Sequence, residues 1–175
     1  MKIFIPTYYS ENIFKINPDF FVEKGIKCIL SDLDNTLDAF DELNPSDRVR
    51  QFKNELDKRN IKLCIVSNNK GKRKGIYCDR LGVEGVFTCY KPFPNRINKF
   101  IEKLGYKKEE VILIGDQILT DVGCGNNCKI SVILTDPIVK KDQWTTKFNR
   151  LIDRPIRKIL RKKGILRRVE ITNDK

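Results

Sequence analysis

Residues 28–37 read Cys28-Ile29-Leu30-Ser31-Asp32-Leu33-Asp34-Asn35-Thr36-Leu37, and the fold turns on how this stretch is read. Its first part is apolar without alternation, the pattern of a strand covered on both faces in a parallel sheet. Its second part sets Asp32 and Asp34 one residue apart where that strand ends. Like charges repel and carboxylates resist losing water, so a chain seldom places two there for stability alone. Something cationic or chemical uses them.

Working outward, Ile26–Ser31 is the first of five short β-branched runs; the others are Ile61–Ser67, Val86–Tyr90, Val111–Gly115 and Ile130–Leu134. Helical patterns lie between them near Ser46–Arg59, Gly71–Leu81, Pro94–Leu104 and Thr120–Asn127, with Ser46 as an N-cap and Gly82 and Gly105 as helix stops. The alternation predicts an α/β fold: a Rossmann-like three-layer sandwich around a parallel five-stranded sheet, with right-handed crossovers. Asp32 and Asp34 follow the first strand, Ser67 and Asn68 the second, Lys91 the third and Asp116 the fourth. Open parallel sheets bind ligands beyond the carboxyl ends of their strands, and four successive ends carrying polar groups point to one site.

Composition narrows the chemistry. The 175 residues contain no histidine, which removes Ser-His-Asp and Cys-His catalysis and leaves acid–base work to carboxylates, lysine, tyrosine or cysteine. Six cysteines, at 28, 64, 78, 89, 124 and 128, form no Cys-x-x-Cys pair and are expected to be reduced, structural thiols. No run reaches the ~18 apolar residues of a membrane span. The opening apolar stretch is short for a signal peptide, so a cytoplasmic protein is expected. The net charge of +12 is uneven: residues 1–139 hold 22 basic and 19 acidic residues, residues 140–175 hold 13 and 4. This suggests a core over 1–142, with a short N-terminal extension, and a basic C-terminal helix and tail over 143–175.

Asp32-Leu33-Asp34-Asn35-Thr36-Leu37, Ser67-Asn68-Asn69, Lys91-Pro92, and Gly115-Asp116-Gln117 with Thr120-Asp121 resemble, in order and placement, the four motifs of the haloacid dehalogenase superfamily. The likeness is greatest to the small YqeG-like branch of the IIIA-type phosphatases, related to mitochondrial phosphatidylglycerophosphate phosphatases. It runs from about Asn12 to about Gly164 and includes Phe148-Asn149-Arg150. The resemblance implies a phosphomonoester hydrolase. A carboxylate can take a phosphoryl group as an acyl phosphate, which suits Asp32 as nucleophile. Asp34 would protonate the leaving oxygen and then deprotonate water. Clustered carboxylates call for a hard cation, Mg2+, which needs few protein ligands. By the resemblance these are the Asp32 side chain, the Asp34 backbone carbonyl and the Asp116 side chain, with Thr36 and Asp121 supporting. Ser67, Asn68 and the neighbouring amides would hold phosphate oxygens, and Lys91 would neutralise the transferring charge.

Each motif alone has a plainer reading. Asp34-Asn35-Thr36 suits a turn or helix cap, and Asp116 with Asp121 suits a solvated helix start. Asp38, Asp41 and Glu42 read as solvated loop acids. Ser67 follows Asp34 by 33 positions and Lys91 follows Ser67 by 24, which leaves no room for a cap domain. An open site suits a substrate whose bulk covers the entrance, such as a lipid headgroup, a nucleic acid end or a protein. In the tail, Trp144, Phe148, Leu151, Ile152, Ile156, Ile159 and Leu160 recur at near-helical spacing among Lys147, Arg150, Arg154, Arg157, Lys158, Arg161, Lys162 and Lys163, with Pro155 a potential break. The apolar stripe is expected to pack on the core while the charged face meets an anionic membrane, making the protein peripheral there. Phosphatidylglycerophosphate is the first substrate expectation. Nucleic acid ends, nucleotides or phosphoproteins are alternatives, and an RNA- or membrane-binding protein with a vestigial site is an alternative of another class. Nucleic acid is the weaker partner, because only Trp144 and Phe148 supply aromatic faces in the tail.

Overall fold

The computed structural model describes residues 2–70, 72–139, 144–166 and 168–169, leaving aside the side chains of Lys2 and residues 144–150. Within that range a parallel sheet runs through β1 (Tyr8–Ser10), β2 (Cys28–Ser31), β3 (Lys62–Ser67), β4 (Glu84–Phe87), β5 (Val111–Gly115) and β6 (Ser131–Thr135). Its spatial order is β1-β6-β5-β2-β3-β4. The helices are α1 (Pro18–Glu23), α2 (Asp47–Asp57), α3 (Lys72–Leu81), α4 (Asn95–Leu104), α5 (Gly123–Cys128) and α6 (Trp144–Lys162). Alternate strand residues feed two cores. Ile29, Leu63, Ile65, Ile112 and Ile114 point to one layer with Phe21, Leu56 and Tyr77. Leu30, Cys64, Val66, Leu113 and Val132 point to the other with Ile97, Phe100 and Val122. This is the two-sided burial that the unbroken apolar runs require.

The sheet has six strands where five were expected. The additional β1 is three residues of Tyr-Tyr-Ser with no apolar run, and its pairing with β6 supplies the order that its composition does not. Its outer side is met in turn by Arg168 and Val169, where Val169 N donates to the Tyr9 carbonyl at 3.0 Å. The strand expected at Val86–Tyr90 lies instead at Glu84–Phe87, because Thr88 and Tyr90 take φ of 56° and 55°, outside extended backbone. Helix α1 was not anticipated. The helix expected over Thr120–Asn127 is a π-helical turn, Ile118–Val122, followed by α5. Gly105 caps α4 with φ 77° and Gly82 follows α3 with φ 71°, as glycine stops do. Ser46 occupies the N-cap of α2 without a capping hydrogen bond from its side chain.

Residues 32–46 join β2 to α2 and α3 begins five positions after β3 ends, so no cap domain is inserted at either place. Helix α6 runs on through Pro155. Its expected stripe divides: Leu160 is buried and Ile156 packs against the second core, whereas Leu151, Ile152 and Ile159 are 70%, 40% and 48% exposed. All six cysteines are buried and free. Among the described residues no helix is long and apolar enough to cross a membrane. The expected boundary at 142, the helix start at Gly71, the side chains of Trp144, Lys147, Phe148 and Arg150, and the tail beyond 169 lie outside the described residues.

Candidate active site

The site is built where β2, β3 and β5 end. Ser31 pairs with Ile114 in register, and Asp32 N continues the ladder to the Ile114 carbonyl at 2.8 Å. Asp32 and Asp116 therefore leave adjacent strands side by side, with 7% and 0% of their surface exposed.

Lys91 joins the parts. Its Nζ donates to Asp32 Oδ1 at 2.7 Å, Asp121 Oδ1 at 2.6 Å and the Val66 carbonyl at 3.1 Å. Burial presses the Lys91 pKa down, but Asp121 and Asp32 outweigh it and hold the ammonium well above its usual range. For Asp32, burial wins over Lys91 and raises the carboxyl to about 6. Asp121, expected only to support, is fully buried and also accepts from Gln117 N at 3.0 Å. Gly115 makes room for it: a Cβ there would lie 2.3 Å from Asp121 Cγ.

Asp34 faces the other way, into a cationic corner. Arg73 Nη1 reaches Oδ1 at 2.8 Å and Lys74 Nζ reaches Oδ2 at 2.5 Å, with Asn69 Nδ2 at 3.4 Å. Burial raises the Asp34 carboxyl, and Lys74 and Arg73 together overcome it, leaving it below the ordinary value. The same Lys74, only 3% exposed, also donates to Ser67 Oγ. Ser67 is thereby held beside a cation, an arrangement suited to an oxyanion.

Asn68, expected among the substrate-binding residues, also braces Lys91. Its Oδ1 accepts from Lys91 N at 2.6 Å and its Nδ2 donates to the Lys91 carbonyl at 2.9 Å. The amide clamps the Lys91 main chain, so its side chain positions the lysine. Thr36 is buried with no hydrogen-bond partner for its hydroxyl among the described residues. Asp38 is no solvated loop acid: it is 2% exposed, with Oδ2 accepting from Tyr77 Oη at 2.6 Å and Ser46 N at 3.0 Å. Asp41 and Glu42 are exposed as expected.

Lys74 and Arg73 were overlooked in the sequence, although a signal was present. Three basic residues, Lys72-Arg73-Lys74, open α3, where the helix dipole disfavours cations. They are tolerated because Asp34 lies in front of two of them.

As donors for a metal, Asp32, Asp116 and the Asp34 carbonyl are all hard oxygens of the kind Mg2+ takes. Among the described residues no three His, Cys, Asp or Glu side chains form a closed cage. That accords with the Asp34 carboxylate being turned to Lys74 and with an ion that keeps much of its water.

A family model described as haloacid dehalogenase-like hydrolase matches residues 4–135. A Bacillus subtilis (strain 168) protein named "Probable phosphatase YqeG" is 37% identical over 163 residues, covering 93% of this chain and 95% of that one. Among solved structures, the cobalt-bound deoxy-D-mannose-octulosonate 8-phosphate phosphatase YrbI from Haemophilus influenzae matches at TM-score 0.50 and 14% identity, covering 81% of this chain and 91% of that one. A hypothetical protein from Xanthomonas campestris matches at TM-score 0.55 and 12% identity, over 81% and 92%. At such identities the two structures share the fold with this chain.

Proposed function

Because this chain belongs to the haloacid dehalogenase-like hydrolase family and is a phosphatase of that family, we propose that Asp32 accepts the phosphoryl group of a monoester as an aspartyl-phosphate. Water then hydrolyses that intermediate. The observation that carries this reading is the Lys91 ammonium, held between Asp32 and Asp121 at 2.7 and 2.6 Å. It keeps one oxygen of Asp32 engaged and leaves Oδ2 to attack phosphorus. It also supplies positive charge where charge develops in the transition state.

Lys74 and Ser67 form the opposite wall, where phosphate oxygens sit. Lys74 is shared between Ser67 and Asp34, so a phosphate that draws the ammonium to itself loosens Asp34. Relieved of Lys74, the Asp34 carboxylate takes up a proton from water before the transfer, gives it to the leaving oxygen and later removes one from the attacking water.

The donor set supports a divalent cation: Asp32 and Asp116 lie side by side at adjacent strand ends, and hard carboxylate and carbonyl oxygens suit Mg2+. Mg2+ held by Asp32, Asp116 and the Asp34 carbonyl would supply the charge neutralisation that phosphoryl transfer needs.

For the substrate we propose a phospholipid monoester, phosphatidylglycerophosphate. The site has no cap, and α6 presents Leu151, Ile152 and Ile159 to solvent beside the exposed cations Arg154, Lys158 and Lys162. A basic, partly apolar helix face is attracted to anionic bilayers, at about 1 kcal/mol per cation near the surface. The test is phosphate release with Mg2+ from lipid, nucleotide, sugar and phosphopeptide monoesters, with acid quench to trap a phosphoenzyme. Fastest release from the lipid in anionic vesicles is expected. Preference for a soluble ester would end the lipid assignment, and turnover with no phosphoenzyme would end the covalent one.

A further inference from the structure

Helix α6 reaches the loop after β5 with two inward-facing charged residues. Asp153 is 1% exposed, and its Oδ2 and Oδ1 accept from Ile118 N at 2.8 Å and Leu119 N at 3.2 Å. Arg157, one turn on, donates from Nη2 to the Asp116 carbonyl at 2.9 Å. Its Nη1 serves the Thr135 carbonyl at 3.1 Å and Asp136 Oδ1 at 2.8 Å. The remaining amide, Gln117 N, is taken by Asp121.

The segment between Asp116 and Asp121 is thus held at one carbonyl and three successive amides by charged side chains. Two of those side chains belong to a helix more than thirty positions later in the chain. Burying a carboxylate is costly, and a serine or water would satisfy free amides at a helix start more cheaply. What the charged pair adds is rigidity in the segment that aims Asp116.

We propose that Asp153 and Arg157 are positioning residues that set the orientation of Asp116 and thereby the affinity of the site for its divalent cation. This rests on the reading of Asp116 as a metal ligand. Partners behind a ligand typically change metal affinity 10–100-fold when removed. The two residues bear opposite charges, which separates positioning from simple field effects. If charge alone mattered, Asp153→Asn would weaken cation binding and Arg157→Gln would strengthen it. Positioning requires both to weaken it.

The experiment is Mn2+ titration of the full chain by electron paramagnetic resonance. It compares wild type with Asp153→Asn, Arg157→Gln, Asp116→Asn and Arg161→Met. Arg161 lies on the same helix and shares Asp136 with Arg157 but does not bond the Asp116 carbonyl, so it controls for the Asp136 pair. Asp153→Asn and Arg157→Gln are each expected to raise the Mn2+ dissociation constant about tenfold or more. They should leave KM for a phosphate ester within twofold, and Arg161→Met should leave Mn2+ binding unchanged. Tighter binding in Arg157→Gln, or changes under twofold in both, overturns the proposal while Asp116→Asn still loses the ion. If Asp116→Asn keeps wild-type affinity, the metal-site reading itself fails. Should neither Asp153→Asn nor Arg157→Gln accumulate as folded protein, their role is holding the fold and the proposal is overturned.

Discussion

Ion pairs sit at both ends of the central sheet. Where the strands begin, Lys27 meets Glu110 at 2.6 Å and Lys62 meets Glu84 at 2.5 Å, with side chains 61%, 22%, 38% and 45% exposed. Where the strands end, Lys91 meets Asp32 and Asp121, and Lys74 meets Asp34, at similar distances, with no side chain more than 13% exposed. Contact length is the same and the surroundings are opposite. A solvated pair is worth about 0–1 kcal/mol. A buried one often costs more to desolvate than it returns. The first end is therefore decoration on a stable sheet, while the second concentrates unfavourable charge at the place where chemistry needs it.

The sharpest way to break the contrast is Asp32→Asn. It keeps the shape and removes the proposed nucleophile, and phosphate release is expected to fall on the order of 10⁴-fold or more, as when other enzymes lose their nucleophile. Activity within tenfold of wild type would return the buried carboxylate to a structural role. Next comes Lys91→Met, which strands Asp32 and Asp121 without their cation. Urea unfolding should show a loss of about 3–5 kcal/mol, and a loss under 1 kcal/mol would erase the distinction between the two ends.

Protonation sharpens the comparison in metal-free protein. Burial raises the Asp32 carboxyl in the fold to about 6, from its ordinary 3.8, so the folded state holds its proton longer than the unfolded chain does. Its contribution to stability is greatest below about 4 and is lost as pH rises through about 6. Asp34 runs the other way. Its folded value is depressed, so its contribution stands above the ordinary carboxylate range and disappears as pH falls through the lowered value. In EDTA, the stability of Asp32→Asn relative to wild type should therefore increase between pH 4 and 6, and a flat difference in urea titrations contradicts the assignment. The smallest effect belongs to the far end: Lys62→Gln should change stability by less than about 1 kcal/mol.

Five of the six strands and the order of the site motifs were readable, because parallel strands buried on both faces leave unbroken apolar runs and the candidate site residues follow them directly. Asp32, Ser67, Lys91 and Asp116 each lie within one position of a strand end or in the turn after it. β1 escaped notice because three residues of Tyr-Tyr-Ser carry no periodicity. Asp38 was read as solvated because its acceptors' partners, Tyr77 and the Ser46 amide, come from other elements. Lys74 and Arg73 stood in a visible basic run, but their target across the site was not visible.

The chain's own order of residues determined the α/β sheet, the strand-end placement of the four motifs and the lack of room for a cap, since these depend on local pattern and spacing. Only the folded arrangement decided that Asn68 clamps Lys91, that Lys74 bridges Ser67 and Asp34, and that Asp153 and Arg157 hold the loop of Asp116. Those are side-chain hydrogen bonds, some to other side chains and some to backbone, between residues 7 to 41 positions apart, and no local preference of the backbone encodes which distant partner a buried polar group will meet.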